Sequence, residues 1–142
     1  MKKTVLSAFG VLLMLSACSH SATKCEAFKE EFRQDEVFFA TGQAEITAEG
    51  KKVLDKQIKW LKENPKKKII VQGYTDPRGT EAYNMHLGEK RAEAVKNYIT
   101  KAGINPNRVS VVSMGETELA TTQNTPKGWA EDRRTVTLIV TD

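Results

Sequence analysis

Histidine, cysteine and aromatic residues are scarce in this chain, and their scarcity argues against an enzyme. Of 142 residues, two are histidine, two are cysteine and 7% are aromatic. His20 lies near the N-terminus, so His86 is the one histidine left for a Ser-His-Asp or Cys-His catalytic set in a folded domain. A metal cluster would also need more such ligands. We therefore expect no catalytic residue, no metal and no cofactor.

Long apolar runs are also scarce, and the one that stands out is Val5–Leu15, which is too short for a stable membrane span. Two lysines precede it and small residues follow it, a pattern typical of an export signal. A retained N-terminal anchor helix is the alternative. We predict three regions: a signal peptide at 1–17, a lipid anchor and tether at 18–35, and one domain with a hydrophobic core at 36–142.

The end of the predicted signal, Leu15-Ser16-Ala17-Cys18, resembles a bacterial lipobox. The resemblance implies cleavage before Cys18, a diacylglycerol on its sulfur and a third acyl chain on its new amine. Two or more chains give stable membrane anchoring where one does not. Ser19 stands where an aspartate would favour retention at the inner membrane. We expect an outer-membrane lipoprotein whose domain faces the periplasm.

The net charge of +4 and the pI of about 9.1 give little support for a nucleic-acid partner. Loss of the two leader lysines would lower the charge to 4 − 2 = +2, and an exported protein seldom meets nucleic acid. Cys25 would then be the odd cysteine in an oxidising compartment. We favour a free thiol, and a Cys25-linked dimer is the alternative.

Hydrophobic periodicity and turn residues predict the elements of the domain. The strands are expected at 37–40, 69–75, 109–114 and 134–140, and the helices at about 48–63 and 81–102. Thr47 is the predicted N-cap of the first helix, and Gly103 stops the second. The polar stretch 116–127 is expected to be a loop, and 24–35 a short amphipathic helix.

The β-α-β-α-β-β order predicts an α+β fold, a sandwich of helices on one face of a mixed four-stranded sheet. The strand at 69–75 begins with apolar and β-branched residues, which favours a central position. Asp76 ends this strand, where ligands of α/β sheets tend to bind. Asn84 and Arg91 are seven residues apart and share one face of the following helix. This spacing permits convergence with Asp76, and a structural Asp76–Arg91 salt bridge is the alternative.

The stretch Gly73-Tyr74-Thr75-Asp76-Pro77-Arg78-Gly79-Thr80, with Asn84, Leu87-Gly88, Arg91-Ala92 and the closing Asp132-Arg133-Arg134, resembles the OmpA-like peptidoglycan-binding family over about residues 36–140. The resemblance implies non-covalent binding of the diaminopimelate of the peptidoglycan stem peptide, which would tether the outer membrane to the cell wall. It implies binding residues at Gly42, Asp76, Arg78, Gly79, Thr80, Asn84, Leu87, Arg91 and Arg133.

The resemblance also implies roles for these residues. Asp76 would accept hydrogen bonds from the ligand's ammonium, and the planar fork of Arg91 would grip its carboxylate. Asn84 and the loop N–H groups of 78–80 would satisfy the remaining acceptors. We expect Asp76→Ala or Arg91→Ala to abolish co-sedimentation with cell-wall sacculi while the fold survives.

The chain departs from the family pattern at two positions. Gly42 stands where the family usually has Asp or Asn, so that only backbone at 41–43 could contact the ligand there. Tyr74 stands where the family often has His. Two other functions are left open: docking of a periplasmic protein of the Tol system and, with the least support, a cell-wall enzyme that uses a pair of carboxylates.

Overall fold

Residues 36–140 are the part of the chain that the computed structural model describes. Four predictions made for the N-terminal region lie outside the described residues: the signal peptide, the lipidated Cys18, the thiol of Cys25 and the helix at 24–35. Residues 141–142 also lie outside them.

Strands and helices alternate along the described residues. Their bounds are β1 Glu36–Phe38, α1 Ala48–Glu63, β2 Ile69–Tyr74, α2 Glu81–Lys101, β3 Val109–Gly115, α3 Pro126–Asp132 and β4 Arg134–Ile139. A 3₁₀ turn at Pro106–Arg108 precedes β3. No helix within 36–140 is both long enough and apolar enough to cross a membrane.

The four strands form one mixed sheet in the order β1-β4-β2-β3. β2 pairs in parallel with β3 and antiparallel with β4, and β4 pairs antiparallel with β1. The predicted α+β fold with a mixed four-stranded sheet is therefore confirmed, as is the central place of β2.

Side-chain caps fix the start of the two long helices. The hydroxyl of Thr47 accepts the N–H of Gly50 at 3.1 Å, and the hydroxyl of Thr80 accepts the N–H of Tyr83 at 3.2 Å. These bonds satisfy N–H groups that have no partner within the helix. The predicted bounds of α1 are confirmed, and α2 ends one residue earlier than predicted.

The inner face of the sheet carries the hydrophobic core. Leu54 and Leu61 of α1, Val95 and Ile99 of α2 and Val71 of β2 are fully buried. On the other face, Val112 and Leu138 are 44% and 41% exposed. This difference agrees with the prediction that the helices cover one face of the sheet.

Two glycines allow α2 to approach β2 closely. A Cβ atom at Gly73 would overlap the carbonyl oxygen of Gly88, and one at Gly88 would overlap the hydroxyl of Ser113. Only glycine permits this distance between the helix and the sheet. The contact holds the first three turns of α2, which carry Asn84 and Arg91, against the end of β2.

The prediction was wrong in two places. Residues 126–132 form the helix α3, which the predicted β-α-β-α-β-β order did not include. Thr125 caps α3 by accepting the N–H of Gly128 at 3.2 Å, and Pro126 occupies the first turn. β1 spans Glu36–Phe38 rather than the predicted 37–40, so it starts one residue earlier and ends two residues earlier than predicted.

Candidate functional site

A pocket of about 200 Å³ lies where β2 ends and α2 begins. Its lining consists of Thr41, Gly42, Thr75, Asp76, Arg78, Gly79, Tyr83, Asn84 and Leu87. Six of the nine predicted binding residues are therefore brought together here. Thr80, Arg91 and Arg133 are outside the lining, although Arg91 and Arg133 lie close behind it.

Asp76 is the acidic group of the pocket, and Arg78 is its main partner. Oδ1 accepts the backbone N–H of Arg78 at 3.1 Å and its Nε at 3.0 Å, while Oδ2 accepts its Nη2 at 2.9 Å. Nη1 of Arg133 lies 3.7 Å from Oδ2. The alternative of an Asp76–Arg91 salt bridge finds no support among the described residues, because the guanidinium of Arg91 is bound to carbonyl groups instead.

The surroundings of Asp76 keep it ionised. Burial by itself would raise the pKa of this carboxyl group. The hydrogen bonds from Arg78 and the positive charges of Arg78 and Arg133 outweigh burial, so the pKa lies below its usual value. At neutral pH the pocket therefore presents a carboxylate that can accept hydrogen bonds from a cation.

Arg91 is completely enclosed, and its hydrogen bonds join two segments of backbone. Nε donates to the carbonyl of Gln43 at 2.8 Å, Nη2 to that of Ala40 at 3.1 Å, and Nη1 to that of Tyr74 at 2.9 Å. The side chain is 0% exposed, and burial lowers its pKa to about 10, so it stays charged at neutral pH. The residue thereby holds the pocket-wall loop 40–43 against the end of β2.

These contacts correct one expectation. Arg91→Ala would leave the buried carbonyl of Tyr74 and the partly buried carbonyls of Ala40 and Gln43 without their donor, so the fold should not survive that change unharmed. A guanidinium has five N–H donors, and the described residues supply acceptors for three of them. The other two have no acceptor among the described residues, but the side chain is fully enclosed, so a ligand would reach them only if the loop 40–43 moved aside.

Asn84 is buried in the pocket lining with its amide NH₂ already engaged. Nδ2 donates to the carbonyl of Arg78 at 3.1 Å and to Oε2 of Glu116 at 2.6 Å. No donor among the described residues reaches its Oδ1. The predicted role was to donate to the ligand, whereas this geometry leaves Asn84 an acceptor.

Two glycines of the lining adopt backbone conformations that favour glycine. Gly42 has φ 64° and Gly79 has φ 97°, and a side chain at either position would be strained.

Two polar groups of the loop 78–80 already have partners within the protein: the hydroxyl of Thr80 caps α2, and the N–H of Arg78 donates to Asp76. Of the three predicted loop N–H donors, that of Arg78 is thus engaged within the protein, and donation to a ligand by those of 79 and 80 stays a prediction.

The remaining predicted residues have supporting positions. Leu87 is 8% exposed and forms the apolar part of the lining. Nε of Arg133 donates to the carbonyl of Phe39 at 2.9 Å, which leaves its other nitrogens near Asp76. Tyr74 points away from the pocket, since its hydroxyl bonds Gln72 and its ring lies under the guanidinium of Arg134 at 4.1 Å.

Sequence reasoning missed Thr75, Tyr83 and Trp129 at this site. Thr75 and Tyr83 line the pocket beside Thr41, whose backbone had been predicted, and Trp129 of α3 lies under the guanidinium of Arg78 at 4.2 Å. The hydroxyl of Thr75 is buried and has no partner among the described residues. Adjacency to Asp76 was a signal for Thr75, whereas nothing local indicated Trp129, which is 51 residues from Arg78 in the sequence.

Comparison with known proteins identifies relatives of this chain. The family model of the OmpA family matches residues 38–133. A peptidoglycan-associated lipoprotein of Pasteurella multocida is 34% identical over 142 residues, which cover 93% of this chain and 94% of the relative. One of Rhizobium meliloti is 34% identical over 105 residues, 74% of this chain, and the match spans only 60% of that relative's length.

Solved structures share the fold. The crystal structure of the peptidoglycan-associated lipoprotein from Burkholderia pseudomallei matches with a TM-score of 0.75 and 29% identity, over 78% of this chain and 93% of that one. The C-terminal domain of Helicobacter pylori MotB matches with a TM-score of 0.70 over 76% of this chain and 85% of that one. At 24% identity, the second likeness concerns the fold alone.

Proposed function

Because this chain belongs to the OmpA family, we propose that it binds peptidoglycan non-covalently through the pocket at the end of β2. Relatives of similar sequence are named peptidoglycan-associated lipoproteins, which supports this class of function. The ligand group proposed is the free end of diaminopimelate in the stem peptide. The observation that carries the proposal is the ionised Asp76 in a small pocket, backed by the enclosed guanidinium of Arg91.

The charges of the pocket suit a group that is both cationic and anionic. The end of diaminopimelate carries one ammonium beside one carboxylate. The ammonium has three N–H donors, and Asp76, the Oδ1 of Asn84 and the hydroxyl of Thr75 are acceptors within one lining. The carboxylate would form a charge-assisted pair with the two remaining donors of Arg91, and this requires the loop 40–43 to move aside, because the guanidinium is enclosed in this structure.

Binding would involve an exchange of partners at Asp76. The side chain of Arg78 is 41% exposed and occupies the carboxylate oxygens that the ammonium needs. Arg78 can leave Asp76 and keep its contact with the ring of Trp129, which offers a cation–π interaction. Exchange of one cation for another keeps the charge of Asp76 compensated throughout.

The predicted lipid on Cys18 completes the proposed role. A chain anchored at Cys18 and bound to peptidoglycan through its domain would tether the outer membrane to the cell wall. A role in docking a Tol-system protein stays a prediction from the sequence, because no contact among the described residues favours it.

Co-sedimentation with purified sacculi tests the proposal. Asp76→Asn keeps the size of the side chain and removes its charge, and we expect its affinity to fall by about 30-fold or more. Asp55→Asn is the matched control, because Asp55 is exposed on α1 and remote from the pocket. Free diaminopimelate stem peptide should compete, and sacculi should release no muropeptides during incubation. Equal sedimentation of the two folded variants would refute the assignment of the pocket.

A further inference from the structure

Positive charge is concentrated in one part of the described chain. Residues 48–68, which comprise α1 and the loop to β2, carry eight lysines and three acidic residues, a net charge of 8 − 3 = +5. The whole of 36–140 carries 17 basic and 13 acidic residues, a net charge of 17 − 13 = +4. The rest of the described chain is therefore slightly acidic, and the lysines are not a uniform solubilising coat.

Strand and helix directions place many of these lysines at the end opposite the pocket. β2 begins just after Lys68 and ends just before the pocket, a span of about 25 Å from Lys68 to Asp76. Both α1 and α2 begin at the pocket end and return to the start of β2 or β3. The lysine end is defined here as Lys59, Lys62, Lys66, Lys67, Lys68 and Lys101.

The backbone of the lysine end is fixed, whereas its side chains are free to reach outward. Arg108 donates from Nη2 to the carbonyls of Leu61 at 2.9 Å and Asn64 at 2.8 Å, and from Nε to that of Lys67 at 2.8 Å. The N–H of Val140 donates to the carbonyl of Lys68 at 2.9 Å. The lysines are thus displayed on a rigid platform rather than on a mobile loop.

Little negative charge offsets these lysines. Glu63 is the acidic residue that the described part of the chain places among them, 4.0 Å from Lys59, and both side chains are more than half exposed. Such a pair contributes little in water. Asp142 follows Val140 by two residues in the sequence and lies outside the described residues.

We propose that the lysine end rests on an anionic phospholipid headgroup surface. Protein interfaces are depleted in lysine and enriched in arginine and aromatic residues, so an acidic protein partner fits this surface less well. Clusters of four to eight basic residues next to a membrane-spanning helix or on an amphipathic helix are attracted to anionic headgroups, and the same attraction would act on a lysine cluster that a tether holds near a membrane. A cluster of six flexible lysines on a rigid platform suits a fluid surface of diffuse negative charge.

The direction of β1 is consistent with a domain whose lysine end faces the membrane. β1 runs in the same sense as β2, so its first residue, Glu36, is the one nearest the lysine end. The 18 residues from Cys18 to Asp35 span at most about 60 Å. With the proposed lipid at Cys18, on which this orientation rests, the lysine end would face the membrane and the pocket would face the cell wall.

Vesicle flotation tests the proposal without the lipid anchor. The chain from residue 18 onward, with Cys18→Ser, is mixed with vesicles of phosphatidylcholine alone or of phosphatidylcholine with phosphatidylglycerol. We expect binding only to the anionic vesicles, decreasing as salt is added. K66Q/K67Q/K68Q should weaken it by about 100-fold, and K66R/K67R/K68R should retain it, because the charge is kept.

The matched control is K51Q/K52Q/K127Q, which removes the same charge from the pocket end and should change vesicle binding far less. Thermal unfolding checks that all variants fold. The proposal would be overturned if the chain did not bind anionic vesicles, or if the two glutamine variants lost binding equally. In the first case an acidic protein would be the partner to test next. Sacculus binding, measured in parallel, should not change in K66Q/K67Q/K68Q. Failure of the unsubstituted chain to bind sacculi would instead count against the proposed function.

Discussion

Two arginines lie near Asp76, and they differ in their hydrogen-bond partners. Arg91 lies behind the pocket wall formed by the loop 40–43, and Arg78 lies at the solvent-facing mouth of the pocket. In the wall, Arg91 is 0% exposed and binds three backbone carbonyls. At the mouth, the side chain of Arg78 is 41% exposed and binds Asp76 itself. The wall arginine maintains the shape of the pocket, whereas the mouth arginine is a partner that a ligand can replace.

The largest expected effect is at the wall. Arg91→Ala removes the donor of one buried and two partly buried backbone carbonyls, and we expect the free energy of unfolding to fall by about 3–5 kcal/mol. Arg91→Lys keeps the charge but cannot supply the planar fork, so it should also lose stability and sacculus binding. Urea unfolding measures both. A loss below about 1 kcal/mol in Arg91→Ala would show that the wall does not depend on this side chain.

The next effect concerns the close contact between Gly73 of β2 and Gly88 of α2, which positions the helix that carries Arg91. Gly73→Ala puts a Cβ atom into the carbonyl of Gly88, and we expect a loss of about 1–3 kcal/mol or more together with weaker sacculus binding. Gly50→Ala is the control, because its new Cβ meets side-chain methyl groups of Val37 at 2.8 Å and Ile46 at 3.1 Å, a milder overlap than the one with the backbone at Gly73. Thermal unfolding should rank Gly73→Ala as clearly the more damaging change.

A smaller effect is expected at the mouth. Arg78→Ala removes a partly exposed ion pair, so the free energy of unfolding should change by less than about 1 kcal/mol. Sacculus binding should persist, because the side chain competes with the ligand for Asp76 rather than holding it. Complete loss of binding in a stable Arg78→Ala variant would mean that this guanidinium contacts the ligand, and the contrast between the arginines would fail.

The smallest effect is a dependence of stability on pH. The folded-state pKa of Asp76 is lowered, so its ionised form stabilises the fold above the unfolded pKa of about 3.9. That contribution is lost as the pH falls through the lowered folded value. Urea midpoints of the unsubstituted chain and Asp76→Asn should therefore differ above about pH 5 and converge in stronger acid. Parallel curves at all pH values would contradict the assigned pairing.

The sequence predicted the strands and helices that surround the site better than the side-chain contacts within it. The apolar β-branched start of β2, the predicted N-cap Thr47 and the stop at Gly103 indicated the elements that place Asp76 and Asn84. Each of these signals is local, and local signals determine where strands and helices begin and end.

The contacts of Arg91 could not be predicted in the same way. Helical spacing showed that Arg91 shares a face with Asn84, but its burial depends on the loop 40–43, about 50 residues earlier in the chain. The stacking of Arg78 on Trp129 likewise depends on α3. The signal for α3 was present in Thr125-Pro126, an N-cap followed by proline at the first turn.

Titration with stem peptides tests the central claim most directly. A lysine-containing stem peptide keeps the ammonium of the diaminopimelate peptide and lacks the adjoining carboxylate. We expect the diaminopimelate peptide to bind the unsubstituted chain at least about tenfold more tightly, since the lysine peptide leaves the free donors of Arg91 without an anion. Asp76→Asn should weaken binding of both peptides. Equal affinity for the two peptides, or affinity that Asp76→Asn does not change, would contradict the assignment of this pocket to a zwitterionic ligand.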